Sequence, residues 1–164
     1  MSKAIKRIIW IVGIALVLII VLFIILARNQ DGNTPKSGIA KKWAENTIIP
    51  FSIEEVESAH GITPEIEVGN GEMIIFTNSD GDGWLLNEED ELSWEFAKLP
   101  KGFNQSLSVG YIRDKTVYGP ISYYEEMEGE FTIKADTEGV YYIYCLGTSS
   151  DPITLKEGEI KVKE

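Results

Sequence analysis

The sequence predicts an all-β domain, an antiparallel β-sandwich or jelly roll, behind one N-terminal transmembrane helix and one short helix. Three observations carry that prediction. Residues 8–27, IIWIVGIALVLIIVLFIILA, are a run of twenty without a charge. From Glu65 onward apolar residues recur with a period of two rather than 3.6. Turn signals rich in Gly, Asn, Asp and Pro break the chain at short intervals, the rhythm of a sandwich and not of βα units.

The apolar run comes first in the chain. At about 1.5 Å of rise per residue it reaches about 30 Å, the thickness of a bilayer's hydrocarbon core. A secretory signal peptide shares the basic start (Lys3, Lys6, Arg7), but its apolar region is about 7–15 residues and ends in a small-x-small cleavage site. Here Ile25 stands two before Ala27 and no cysteine follows, so the run reads as an uncleaved anchor. Lys3, Lys6 and Arg7 outweigh Arg28 and Lys36, which places residues 1–7 in the cytoplasm and the C-terminal part outside the cell membrane. Residues 28–45 begin with RNQDGNTPKSGIA, which has no periodicity and reads as a juxtamembrane linker. Residues 46–164 remain as the exported sandwich domain.

Within that domain, Ser52-Ile-Glu-Glu55 fits a capping box, with Ile53, Val56 and Ala59 at helical spacing before Gly61, so a short helix is expected over 53–60. Strands follow. Ile66 and Val68, then Leu107, Val109 and Tyr111, then Phe131, Ile133 and Ala135, then Ile160 and Val162 alternate with polar or small neighbours, as strands with one buried face do. Met73 to Phe76 and Val140 to Leu146 are apolar on both faces, as central strands are. Eight or nine strands are expected. Segment 89–99 fits a strand through Leu92, Trp94 and Phe96, and a helix through Leu92, Phe96 and Leu99. The alternation around it favours the strand, over 91–97.

Composition excludes several functions. From Asn46 onward eight Lys and Arg face twenty-four Asp and Glu, a net charge of −16. Nucleic acid and anionic lipid headgroups are poor partners for such a domain. The one cysteine, Cys145, lies in an apolar run and reads as a small buried hydrophobe. With His60 the one histidine, Ser–His and Cys–His hydrolase arrangements have nowhere to form. The acidic runs Glu88 to Glu91 and Glu125 to Glu128 read as solvated loops rather than paired catalytic carboxylates. No enzyme is expected.

Two candidate sites remain. Residues 78–89, NSDGDGWLLNEE, place Asn78, Asp80 and Asp82 at the first, third and fifth positions of a twelve-residue calcium loop, with Gly83 sixth and Glu89 twelfth. Hard Ca²⁺ takes six to eight oxygens, and this spacing wraps them around one point. Against it, Leu86 cannot ligate and the flanks read as strands, so a Asp-Gly hairpin turn explains the same residues. The expectation is therefore no cofactor, with calcium as the alternative. The second candidate is aromatic. Tyr123, Tyr124, Tyr142 and Tyr144, if they stand on an outer face, form a platform for a protein or glycan partner.

The order G-x-M-I-I-F-T-N (71–78), D-G-W-L-L (82–86), S-V-G-Y-I (108–112), F-T-I-K-A (131–135), G-V-Y-Y-I-Y (139–144) and S-S-D-P-I-T-L-K-E-G-E-I-K-V (149–162) resembles small exported membrane-anchored proteins of Gram-positive bacteria. It also resembles, loosely, the GOLD-type sandwich of the emp24 cargo-receptor family. The resemblance covers about 71–162 and rests on strand-and-turn rhythm. It implies a sandwich with an interaction role and brings no catalytic residues. The trafficking role does not transfer, because the anchor here is N-terminal and the disulfide expected in that family has no second cysteine.

Overall fold

The computed structural model describes residues 39–45 and 52–164. The expected cytoplasmic head, the span at 8–27 and linker residues 28–38 lie outside the described residues. Among the described residues no helix is long and apolar enough to cross a membrane.

Twelve strands and one helix make up the described chain. The two strands expected at the centre are there. β4 (Glu72–Thr77) and β10 (Gly139–Gly147) sit inside a sheet ordered β1-β4-β10-β7-β8, with β1 at Ser52–Glu57, β7 at Leu107–Arg113 and β8 at Thr116–Tyr123. β5 (Trp84–Leu86) continues the place of β4, pairing with residues 139–141 of β10 where β4 pairs with 144–146. A second sheet runs β2-β12-β6-β9, with β2 at Ile62–Thr63, β12 at Gly158–Lys163, β6 at Glu91–Ala97 and β9 at Glu128–Lys134. β3 (Ile66–Val68) and β11 (Ile153–Leu155) form a separate two-stranded ribbon.

The core lies between the two large sheets. Ile74, Phe76, Ile143 and Cys145 meet Leu92, Trp94, Phe131 and Ile133 there. Trp94 is 1% exposed and its ring packs on Phe76 and Phe96, with centroids 4.8 and 4.9 Å away. Period two was therefore the right reading of 89–99. Because β4 and β10 are apolar on both faces, a second cluster forms on the outer side of the larger sheet: Met73, Ile75, Ile112, Tyr142 and Tyr144. Cys145 is fully buried, and burial pushes its thiol pKa up.

Five expectations are corrected. The helix expected over 53–60 is the strand β1, paired in parallel with β4 from Ser52↔Glu72 to Glu57↔Thr77. An isolated helix of that length is marginal in water, and an open edge of β4 offers a full ladder of hydrogen bonds instead. The sheet is consequently not wholly antiparallel. A helix does form inside the expected linker, α1 at Ile39–Glu45, where Ala40 and Ala44 are buried against the second cluster. The strand count exceeds eight or nine because β2, β3, β5 and β11 are only two or three residues long. Val162, expected inside, is 42% exposed: β2 flanks β12 only at Gly158 and Glu159.

One buried charge ties the loops. Lys98 is 2% exposed, and its ammonium donates to the carbonyls of Gln105 at 2.5 Å and Tyr123 at 3.0 Å. Desolvation holds its pKa below the ordinary lysine value, opposed by the charge of Glu126.

Candidate interaction surface

The outward positions of the smaller sheet are set by strand parity and register. Trp94, Phe131 and Ile160 point inward, so Glu95, Glu130 and Glu159 point out, and register places all three in one row across β12, β6 and β9. The next row toward the sheet's end carries Ala97 beside Glu128, with Glu157 just before β12. A groove of about 700 Å³ opens here. It is lined by Ile62, Phe96, Ala97, Gly129 and Gly158 and by five glutamates: Glu95, Glu128, Glu130, Glu157 and Glu159.

The same face changes sign along the strands. Lys161 stands in the row after the glutamates, and Lys163 and Lys134 flank Glu91 in the row beyond that. Lys161 reaches back to Glu95 and Glu159, 3.0 Å from each, and these bonds raise its pKa. Like charges directly opposite one another across strands are destabilising. Three in one row, with two more beside them, is a departure from the local rule, and such departures concentrate at functional sites.

Gly129 and Gly158 hold inward positions of the sheet, where the core leaves no room for a side chain. A Cβ on Gly129 would lie 2.6 Å from the Phe96 ring, and one on Gly158 would lie 2.5 Å from the Glu95 carbonyl oxygen.

The calcium loop takes another form. Residues 78–83 make a turn between β4 and β5, built around Asn78. Its Oδ1 accepts from the amides of Asp80 at 2.9 Å and Asp82 at 3.1 Å, and its Nδ2 donates to the Gly83 carbonyl at 2.8 Å. Asp82 Oδ1 accepts from the Gly83 amide and from the Tyr142 hydroxyl. Asp80 is exposed, and Glu89 pairs with Lys134, which raises the lysine's pKa. Among the described residues no group of three or more His, Cys, Asp or Glu side chains is disposed to hold a metal ion.

The four tyrosines separate. Tyr142 is 2% and Tyr144 0% exposed, both under α1, so neither presents a ring to a partner. Their hydroxyls are committed inside the domain, to Asp82 and to the Tyr118 carbonyl. Burial pushes the Tyr144 phenol up to about 12. Tyr123 packs edge-on against Phe96 and donates to the Glu130 carbonyl at 2.8 Å. Only Tyr124, 63% exposed, stands free to meet a partner ring-first.

An aromatic cluster that the sequence did not flag closes one end of the larger sheet. Tyr111 stacks on Tyr118 with centroids 4.7 Å apart, and the Arg113 guanidinium lies 5.4 and 5.5 Å from the Tyr118 and Tyr141 ring centroids. Arg113 also pairs with Asp136 and donates to the Tyr141 hydroxyl at 3.0 Å, which raises its pKa further. This cage already holds its cation and works as a clasp between two turns.

No family model matches the chain. No curated protein matches it either. Among solved structures it is similar to the pre-peptidase C-terminal domain of a collagenase from Bacillus anthracis, at 12% identity and a TM-score of 0.41, over 66% of this chain and 94% of that one. It is also similar to PliG of Aeromonas hydrophila, a periplasmic lysozyme inhibitor of g-type lysozyme, at 12% identity and a TM-score of 0.34, over 66% and 99%. At that distance neither likeness bears on ligand or partner.

Proposed function

We propose that this chain is a non-catalytic, membrane-tethered interaction domain, held outside the cell by residues 8–27, and that the glutamate-ringed groove of the smaller sheet is where it takes a cationic partner. The observation that carries the reading is the groove: a hollow of about 700 Å³ lined by Ile62, Ala97 and glycine backbone, with carboxylates that the register sets side by side. A basic peptide or polyamine suits it, because Ile62 and Ala97 accommodate methylene stems while the carboxylates meet the charged heads. The charge-free run at 8–27 and the preceding Lys3, Lys6 and Arg7 support the tether and its orientation. The rhythm that resembles GOLD-type sandwiches supports an interaction role over an enzymatic one.

A photo-crosslinking residue at Ile62, which lines the groove and is 43% exposed, tests this in the membrane-bound protein. The control is the same residue at Leu85, 68% exposed on β5. The reading expects a defined crosslinked species from position 62 and not from 85. Equal yields from both, or none from 62, contradict it.

A further inference from the structure

The outer strands of the two large sheets differ in how they end the sheet. An outer strand presents unpaired backbone groups to any extended chain, and Pro, bulges, short length and repelling charges are the usual defences. β8 contains Pro120 and pairs with β7 through a register shift at Val109/Tyr111. β2 is two residues long, and β1 carries Glu54, Glu55 and Glu57. β9 is seven residues without Pro, in unbroken register with β6 from Glu91↔Lys134 to Ala97↔Glu128, and its charges are of both signs.

Which groups β9 offers follows from its ladder. Just beyond its two ends, the Lys98 amide donates to the Met127 carbonyl at 2.7 Å and the Ala135 amide to the Asp90 carbonyl at 2.8 Å. Hydrogen-bonded pairs alternate along an antiparallel ladder, so Gly129, Phe131 and Ile133 bond to β6, while Glu130, Thr132 and Lys134 turn N–H and C=O outward. The Tyr123 hydroxyl, which donates to the Glu130 carbonyl at 2.8 Å, sits on that outer edge. Among the described residues no strand takes up the groups of Thr132 and Lys134 there. The side chains of Glu130, Thr132 and Lys134 are all exposed. Lys134 pairs with Glu89 of its own chain and is still 55% exposed.

The order Glu130, Thr132, Lys134 is complementary to itself when reversed. We propose that a second copy of this chain occupies the edge: two β9 strands pair antiparallel about a two-fold axis at Thr132 and join their four-stranded sheets into one. Glu130 of each copy then faces Lys134 of the other, and Thr132 faces Thr132. On the inward side Phe131 faces Ile133, an aromatic against a β-branched residue, which is a favourable cross-strand pair. Each Glu130, which in one copy has only Glu95 directly across the strands, gains an opposite charge on its other side. The proposal does not rest on the groove as a binding site, since pairing is read without a cationic ligand.

The test uses the full chain in detergent micelles at physiological ionic strength, where a Debye length of about 8 Å screens the repulsion between two acidic domains. Thr132→Cys is oxidised with copper phenanthroline. Facing Cα atoms in a hydrogen-bonded pair lie about 5.5 Å apart, within the range a disulfide spans. Cys145 is fully buried, and wild type sets the background. The control is Thr116→Cys, exposed on β8. Pairing through β9 predicts a disulfide-linked dimer from position 132 and background from position 116. Adding Lys134→Glu to Thr132→Cys should remove the dimer, and adding Glu130→Lys as well should restore it, because opposite charges face each other again. Equal yields from 116 and 132, a yield indifferent to Lys134→Glu, or no recovery in the charge-swapped variant would overturn the proposal.

Discussion

Replacing Trp94 by alanine tests the packing of the sandwich at its largest buried side chain. The ring is 1% exposed, lies 4.8 and 4.9 Å from the Phe76 and Phe96 centroids, and sits in register with Phe131 and Ile160. Truncating a buried Trp or Phe to Ala costs about 3–5 kcal/mol. The two aromatic contacts add about 0.5–1.5 kcal/mol each beyond area burial and push the value up. Opposing them, Trp94 Nε1 is buried without a hydrogen-bond partner. Deleting that donor returns a desolvation penalty of about 1–3 kcal/mol. The expected net loss is about 3–4 kcal/mol. Trp94→Phe separates the two effects. It removes the orphan donor but keeps a ring, so its cost should be about 1 kcal/mol or less. Urea unfolding of the compact unit Lys36–Glu164, followed by circular dichroism, measures both. A Trp94→Ala loss below about 1 kcal/mol, or a Trp94→Phe loss as large as that of alanine, would refute the reasoning, since buried-aromatic losses run far higher.

Gly158→Ala should destabilise the same unit by several kcal/mol, because its Cβ would lie 2.5 Å from a backbone oxygen that cannot swing aside; thermal denaturation reads this directly, and a neutral result would place Gly158 elsewhere. Arg113→Lys should lower the melting temperature nearly as far as Arg113→Ala, since lysine cannot span Asp136 and the tyrosine hydroxyls together. Folding holds the Tyr144 proton up to about pH 12 against 10.0 for a free phenol, so its stabilisation is complete below pH 10 and fades between pH 10 and 12. In that window stability should fall by about 1.4 kcal/mol per pH unit for this group, and Tyr144→Phe should flatten the alkaline limb of a urea titration by about one proton. Calorimetry with Ca²⁺ on wild type and Asp80→Ala should give indistinguishable heats, because the oxygens of Asn78 and Asp82 are already bonded within their own turn.

How much of this was legible in the sequence divides along one physical line. Alternation within a segment shows parity, so β6, β7, β9 and the doubly apolar β4 and β10 could be read directly. Pairing between distant segments does not show, and the misreadings follow from it. β1 reads as a helix because Ser52 and Glu55 satisfy a local capping rule, while the open edge of β4 that converts it to a strand lies twenty residues on in the register Ser52↔Glu72. Tyr142 and Tyr144 lie on the outer side of the larger sheet, but nothing near them in sequence says that they are buried there. The groove escaped notice for the same reason. Its glutamates sit at outward parity on three strands, with Glu157 just before one of them, and they converge only once register is known. The acidic runs at 88–91 and 125–128 draw the eye first, and of these only Glu128 lines the groove. The Asn78 turn shows the converse: ligand-type spacing is also what a side-chain-bonded turn between two strands looks like.

The central claim is that the ring of glutamates, and not the domain's overall charge, takes a cationic partner. Titration of fluorescent hexalysine into the unit Lys36–Glu164 tests it most directly, at physiological ionic strength, where the Debye length of about 8 Å suppresses diffuse attraction. Two charge-matched variants are compared, Glu95→Gln/Glu128→Gln/Glu130→Gln inside the groove and Glu54→Gln/Glu88→Gln/Glu138→Gln outside it. The account predicts about a tenfold or greater loss of affinity for the first, about 1.4 kcal/mol, and wild-type affinity for the second. Equal weakening by both sets would show that hexalysine senses net charge alone, and would contradict the groove as a site.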